Sequence, residues 1–132
     1  MDRKKLSIRL VSLIVFFFLI NSLANYFYWF YSIWWFDMPM HFLGGFWWGL
    51  VFVWFYRVEE ISPASIFGII LSVLFVGVLW EIFEFFFYNF IAQNSFNILD
   101  TISDVCLDLA GAFFALMYFK LRMDPVRSPS VN

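Results

Sequence analysis

The fold class this sequence predicts is an all-α integral membrane bundle of four transmembrane helices, and three observations carry it. The chain is 64% hydrophobic and only 14% charged over 132 residues, far from the usage of soluble domains. It contains four apolar stretches near the roughly 20 residues that cross a bilayer as helix. All eight basic residues lie outside those stretches or at the start of the first, in alternate connections. A single transmembrane domain over residues 1–123 is expected, with no room for a separate soluble module. One cysteine, Cys106, excludes an intramolecular disulfide and any multi-cysteine zinc site. No basic patch of the kind that binds nucleic acid is present.

The first stretch runs from about Ile8 to Phe30 behind the basic start Arg3-Lys4-Lys5. Ser22-Leu23-Ala24 weakly resembles a signal-peptidase site, but the apolar run continues through Tyr26–Phe30, so an uncleaved helix is expected. The second stretch, about Pro39 to Phe55, is short for a span. The third, about Pro63 to Phe90, is long enough to tilt or protrude. Its start carries Ser62-Pro63, a good cap and first-turn pair. The fourth runs from about Ile98 to Tyr118, with Asn97 as cap and Asp100 placed favourably toward the helix dipole. The tail, residues 124–132, reads as disordered.

Arg3, Lys4, Lys5 and Arg9 precede or begin the first helix, Arg57 follows the second, and Lys120, Arg122 and Arg127 follow the fourth. The other two connections have none. The positive-inside rule then puts both termini in the cytoplasm. Tyr26, Tyr28, Trp29, Tyr31, Trp34 and Trp35 form an aromatic belt at the outer interface. A bacterial cytoplasmic (inner) membrane location is expected.

Against this background, six of the ten carboxylates and the single histidine lie in or beside the apolar stretches. They are Asp37, His41, Glu81, Glu84, Asp100, Asp104 and Asp108. An isolated carboxylate at mid-bilayer costs roughly 2.5–3.5 kcal/mol on the insertion scale, so such residues usually serve a function. Residues three or four apart share a helix face. Asp37 and His41 do so, with Gly45 and Gly49 continuing their face. Glu81 and Glu84 do so, with Gly77 and Tyr88. Asp100, Asp104 and Asp108 step down one face that continues to Gly111 and Ala115. Acidic groups and small residues together predict close helix packing around an internal polar site. Asp108 lies about 12 Å deeper than Asp100 at helical rise, so the cluster forms a funnel open to the outer face.

No lysine or arginine accompanies the cluster in sequence, so it calls for a divalent metal or shared protons. Carboxylates with one imidazole suit Mg, Mn, Fe or Zn. All seven residues are candidate ligands, and Glu81, Glu84 and His41 are candidate catalytic groups, the glutamates as base and His41 as ligand or proton shuttle. Asn21 and Asn25 are read as interhelical hydrogen-bond glue. Cys106 is read as a packing residue, Trp47-Trp48 and Phe85–Phe87 as lipid-facing or packing, and Glu59 and Glu60 as solvated loop charges.

Three blocks of sequence resemble a known family: Asp37-Met38-Pro39-Met40-His41-Phe42-Leu43-Gly44-Gly45, Trp80-Glu81-Ile82-Phe83-Glu84, and Asp100 through Gly111. They are similar to the YjdF-like bacterial inner-membrane proteins and, more distantly, to the VanZ-like proteins. The VanZ-like pattern has Asp four before His, an acidic residue on the next helix, then Asp-x-x-x-Asn-x-x-Gly. Asp37 and His41, Glu81 or Glu84, and Asp104, Asp108 and Gly111 match it, with Asp108 standing for Asn. Met38 replaces the lysine usual after the first Asp, and the usual arginine before the last acidic helix is absent. The leading expectation is a metal-dependent membrane hydrolase or transferase acting on a lipid or lipid-linked envelope substrate. The alternatives are an ion or proton transporter, which a homo-oligomer would suit, and a non-catalytic envelope protein binding a lipid-linked ligand.

Overall fold

The computed structural model describes residues 2–87, 89–90 and 97–123, and among these every regular element is helical. The order is α1 (Arg3–Tyr26), the single turn α2 (Trp29–Ser32), α3 (Asp37–Phe55), α4 (Pro63–Phe87) and α5 (Ile98–Met123). The four long helices are each apolar and long enough to cross a membrane.

Local chemistry sets the ends. Asp2 caps α1 by accepting from the Lys4 amide at 2.9 Å, so the helix begins five residues ahead of the apolar stretch. It stops at Tyr26 rather than continuing to Phe30, because Tyr28 takes a left-handed conformation with φ 57° and turns the chain into α2. Trp29 and Phe30 then pack edge-on against Phe36, at 5.5 and 5.1 Å between ring centroids. Tyr26, Tyr28, Tyr31, Trp34 and Trp35 stay exposed around this turn.

α3 starts at Asp37, two residues earlier than the apolar pattern indicates. It ends in a Schellman turn: Arg57 sits at φ 52° and the Val58 amide reaches back to the Val53 carbonyl at 3.1 Å. α4 opens with a reciprocal cap. The Ser65 amide donates to Ser62 Oγ (3.1 Å), and the Ser62 amide donates to Ser65 Oγ (2.8 Å). Asn97 Oδ1 accepts from the Leu99 amide at 3.1 Å to start α5, which runs past Tyr118 to Met123. Tyr88 and the tail 124–132 fall outside the described residues.

The heart of the bundle is the seam between α3 and α5, which run parallel. A Cβ on Gly45 would collide with the Asp108 carbonyl, and one on Gly111 with the Phe42 carbonyl. Gly49 faces Ala112 and Ala115. Small residues at these positions bring two backbones together and replace side-chain packing with main-chain contact. α1 lies antiparallel to α3, with Trp47 Nε1 donating to the Leu10 carbonyl at 2.9 Å. α4 packs antiparallel against α3 and α5, with Gly68 on Phe52 and Gly77 on Asp108. One apolar cluster, including Leu6, Leu10, Leu50, Val53, Ile69, Val73, Ala112, Ala115 and Phe119, fills the half of the bundle nearest the basic residues. A smaller one, Ala24, Phe36 and Met40, closes the opposite end between α1 and α3.

Two expectations are corrected here. Asn25 does not bridge helices: its Nδ2 donates to the Asn21 carbonyl of its own helix at 2.8 Å, satisfying the amide locally. Cys106 is not a packing residue but is exposed on α5, because the inward face is taken by Asp104 and Asp108.

Candidate functional site

The seam puts His41 of α3 opposite Asp104 and Asp108 of α5, and α4 adds Glu81 and Glu84. Four of these side chains are withdrawn from solvent and lipid: His41 is 6% exposed, Glu81 7%, Asp104 2% and Asp108 7%. The imidazole is the hub. Its Nε2 lies 3.5 Å from Asp37 Oδ2, 3.8 Å from Asp104 Oδ2 and 4.0 Å from Glu81 Oε1. Its Nδ1 lies 3.5 Å from Asp108 Oδ1. Glu84 is half-buried beside Asp37 and His41, and its Oε1 accepts from Trp80 Nε1 at 3.0 Å. Asp100 is exposed at the mouth and lies outside both ligand groups described below.

The distances carry information. A hydrogen bond from a ring nitrogen to oxygen spans about 2.7–3.2 Å. The Nε2 contacts all exceed this, and both His41 Nε2 and Glu81 Oε1 are buried without a hydrogen-bond partner. Buried polar atoms are seldom left so. Nitrogen and oxygen ligands sit about 2.0–2.2 Å from a zinc-like ion, so two ligands of one ion are about 3.0–3.5 Å apart at right-angle to tetrahedral geometry and further apart at wider angles. The spacing around Nε2 is close to that range. Two triads meet the requirement, Asp37–His41–Glu84 and His41–Glu81–Asp104, with candidate ligand atoms within 4.8 Å of one another.

Supporting groups surround the acids. Ser103 Oγ donates to the Asp100 carbonyl (2.9 Å) and lies 3.4 Å from Asp104 Oδ1. Glu81 and Thr101 line a cleft of about 300 Å³ between α4 and α5, completed by Val78, Ile82, Phe85 and Val105. Sequence reasoning did not single out Trp80, Thr101 or Ser103. Trp80 was findable, since it stands four residues before Glu84 on the same face. The other two are single hydroxyls whose relevance depends on helix rotation.

The fold and the cluster define a class: a multi-span helical membrane protein with a buried histidine–carboxylate cluster between its spans. The chain belongs to the family of predicted membrane proteins DUF2238, whose model matches residues 2–125. This is the family of the YjdF-like proteins, and the match does not extend to the VanZ-like proteins. Comparison with curated proteins and with solved structures finds no match.

Proposed function

We propose that the cluster is a divalent-cation site within the membrane, and that the protein uses it as a metal-dependent enzyme on a lipid or lipid-linked substrate. The observation that carries the metal reading is the unpartnered His41 Nε2, ringed by carboxylate oxygens at 3.5–4.0 Å. His41 Nε2 with oxygens of Glu81 and Asp104 would hold the ion, and Asp37 and Glu84 would complete or compete for it. Asp108 has a different part. It faces the other ring nitrogen, the position of the carboxylate that fixes the tautomer of metal-binding histidines. Mg, Mn, Fe and Zn all suit this donor set.

A bound divalent ion activates water or polarises a phosphoryl or carbonyl oxygen. Glu84, half-buried and held by Trp80, is suited to accept a proton beside it. The cleft between α4 and α5 is apolar and reaches Glu81, which supports a substrate that arrives from the bilayer. The basic ends of α1, α3 and α5 gather at one end of the bundle, with the acids toward the other. That separation supports both termini in the cytoplasm of a bacterium and a site facing the outer side.

The test is elemental analysis of the purified protein, with thermal unfolding in detergent under chelator and under added Mg, Mn, Fe or Zn. A cation that binds only the folded state adds about 2.7 kcal/mol of stability at a hundredfold excess over its dissociation constant. Absence of any metal-dependent midpoint shift, with no metal co-purifying, sinks the reading. A second reading would then stand, favoured by the carboxylates facing both ring nitrogens: an imidazole and acids sharing protons, in a transport path or a structural network.

A further inference from the structure

At the opposite end of the bundle, two arginines converge on one aromatic ring. Arg9 of α1 donates from Nη1 to the Tyr118 hydroxyl, and its Cζ lies 5.7 Å from the Tyr118 ring centroid. Arg122 of α5, one turn beyond Tyr118, places its Cζ 5.6 Å from the same centroid. Phe46 of α3 packs edge-on with the same ring, at 6.0 Å between centroids. Among the described residues neither guanidinium has a carboxylate partner, since the ion pairs found there all involve His41. A π face attracts cations but does not neutralise them. Two like charges at a membrane boundary repel more than they would in water. Balancing the two charges takes an anion from outside the described residues.

We infer that Arg9, Arg122 and Tyr118 form a binding site for the phosphate of an anionic membrane lipid. Guanidinium forks match phosphate oxygens two at a time, and Tyr118 holds both arginines at one place, Arg9 through its hydroxyl and both at 5.6–5.7 Å from its ring centroid. The surroundings select a lipid over a free ion. Arg9 is half-buried within the first span, and its neighbours Ile8 and Val11 are exposed large apolar residues. On α5, Leu121 and Met117 are exposed beside Arg122 and Tyr118. A phosphate seated between the guanidiniums therefore has apolar surface on both flanks, where acyl chains can lie. Tyr118 is ten residues from Asp108, about 15 Å along α5. The site is separate from the acidic cluster and does not depend on the metal reading.

The experiment measures retention of phosphatidylglycerol against phosphatidylcholine on the purified full chain by native mass spectrometry. Thermal unfolding is followed with each lipid and with inorganic phosphate. The parent should retain phosphatidylglycerol preferentially and gain thermal stability from it alone. A charge-assisted hydrogen bond contributes about 1.5 kcal/mol or more, so Arg9→Gln and Arg122→Gln should each weaken retention about tenfold or more. Lys4→Gln with Lys5→Gln removes two charges away from the ring, twice what either arginine variant removes, and should still weaken retention less than either of them. Arg9→Lys keeps the charge without the fork and should fall between parent and Arg9→Gln. If Arg9→Gln does not fold, exposed Arg122 carries the test. A loss in the lysine pair equal to or larger than that in either arginine variant would reduce the site to diffuse surface charge. An equal response to inorganic phosphate would make it a soluble-anion site. No preference between the lipids would remove it. Each of these results overturns the inference.

Discussion

His41 Nε2 has one lone pair, so it can serve one ion at a time, and the two triads that share it are alternatives. This makes His41→Gln the decisive substitution: it should abolish the metal-dependent shift in unfolding temperature. Asp108→Asn keeps shape but leaves the Nδ1 side without its carboxylate, and should weaken metal affinity about 10- to 100-fold. Glu81→Gln should weaken binding too, yet leave the metal-free protein as stable as the parent or more so, because it removes one of several crowded negative charges. Chelated and metal-loaded melting curves of the three variants check all these outcomes. At this scale the sequence was informative because burial of charge is rare. Spacing alone pointed to Asp37, His41, Glu81, Glu84, Asp104 and Asp108 on three helix faces, and the structure gathers these around the imidazole. Helical rise also put Asp100 at the rim, where the structure has it exposed, but it could not tell half-buried Glu84 from buried Glu81, because a few tens of degrees of helix rotation decide that.

At the scale of the element, the glycines make the sharpest prediction. Gly44 has open space where a Cβ would go, whereas its neighbour Gly45 meets the Asp108 backbone. Gly45→Ala should force α3 and α5 apart and cost about 1–3 kcal/mol. Gly44→Ala should be neutral or stabilise by up to about 1 kcal/mol through helix propensity. Gly77→Ala would put its methyl 2.6 Å from Asp108 Oδ2. It should therefore weaken metal binding through the carboxylate it displaces. Thermal unfolding of these variants, each with and without metal, distinguishes the effects. The helix starts at Ser62-Pro63 and Asn97 were legible because capping is local chemistry. The stop at Tyr26 was not, because Tyr28 adopts a conformation that an aromatic residue rarely takes.

For the whole molecule, the charge distribution predicts orientation. Arg3 donates to the Trp54 carbonyl at 3.4 Å, while Arg9 and Arg122 meet at Tyr118. The start of α1 and the ends of α3 and α5 therefore share one end of the bundle. In a Cys106→Ser background, Glu59→Cys should resist a membrane-impermeant thiol reagent in intact cells and react once the membrane is opened. Reaction in intact cells would invert the topology. The four spans were legible from hydropathy, and so was the strip of small residues. Which helix faced which was not, because α1 offers an apolar surface without a distinguishing pattern and the acidic faces of α3, α4 and α5 do not say which two meet most closely. The seam of α3 and α5 is settled by backbone approach, which side-chain identity only permits.

That seam joins helices that are not neighbours in the chain, with α4 made between them. A chain synthesised from its N-terminus threads α1, α3 and α4 into the bilayer before α5 exists as a helix. Until then His41 and Glu81 have no Asp104 or Asp108, and Gly45 and Gly49 present bare backbone to lipid. The last helix to enter thus supplies the groove's other wall and two of the acids together. Completion of the fold and assembly of the site therefore become a single step in biogenesis.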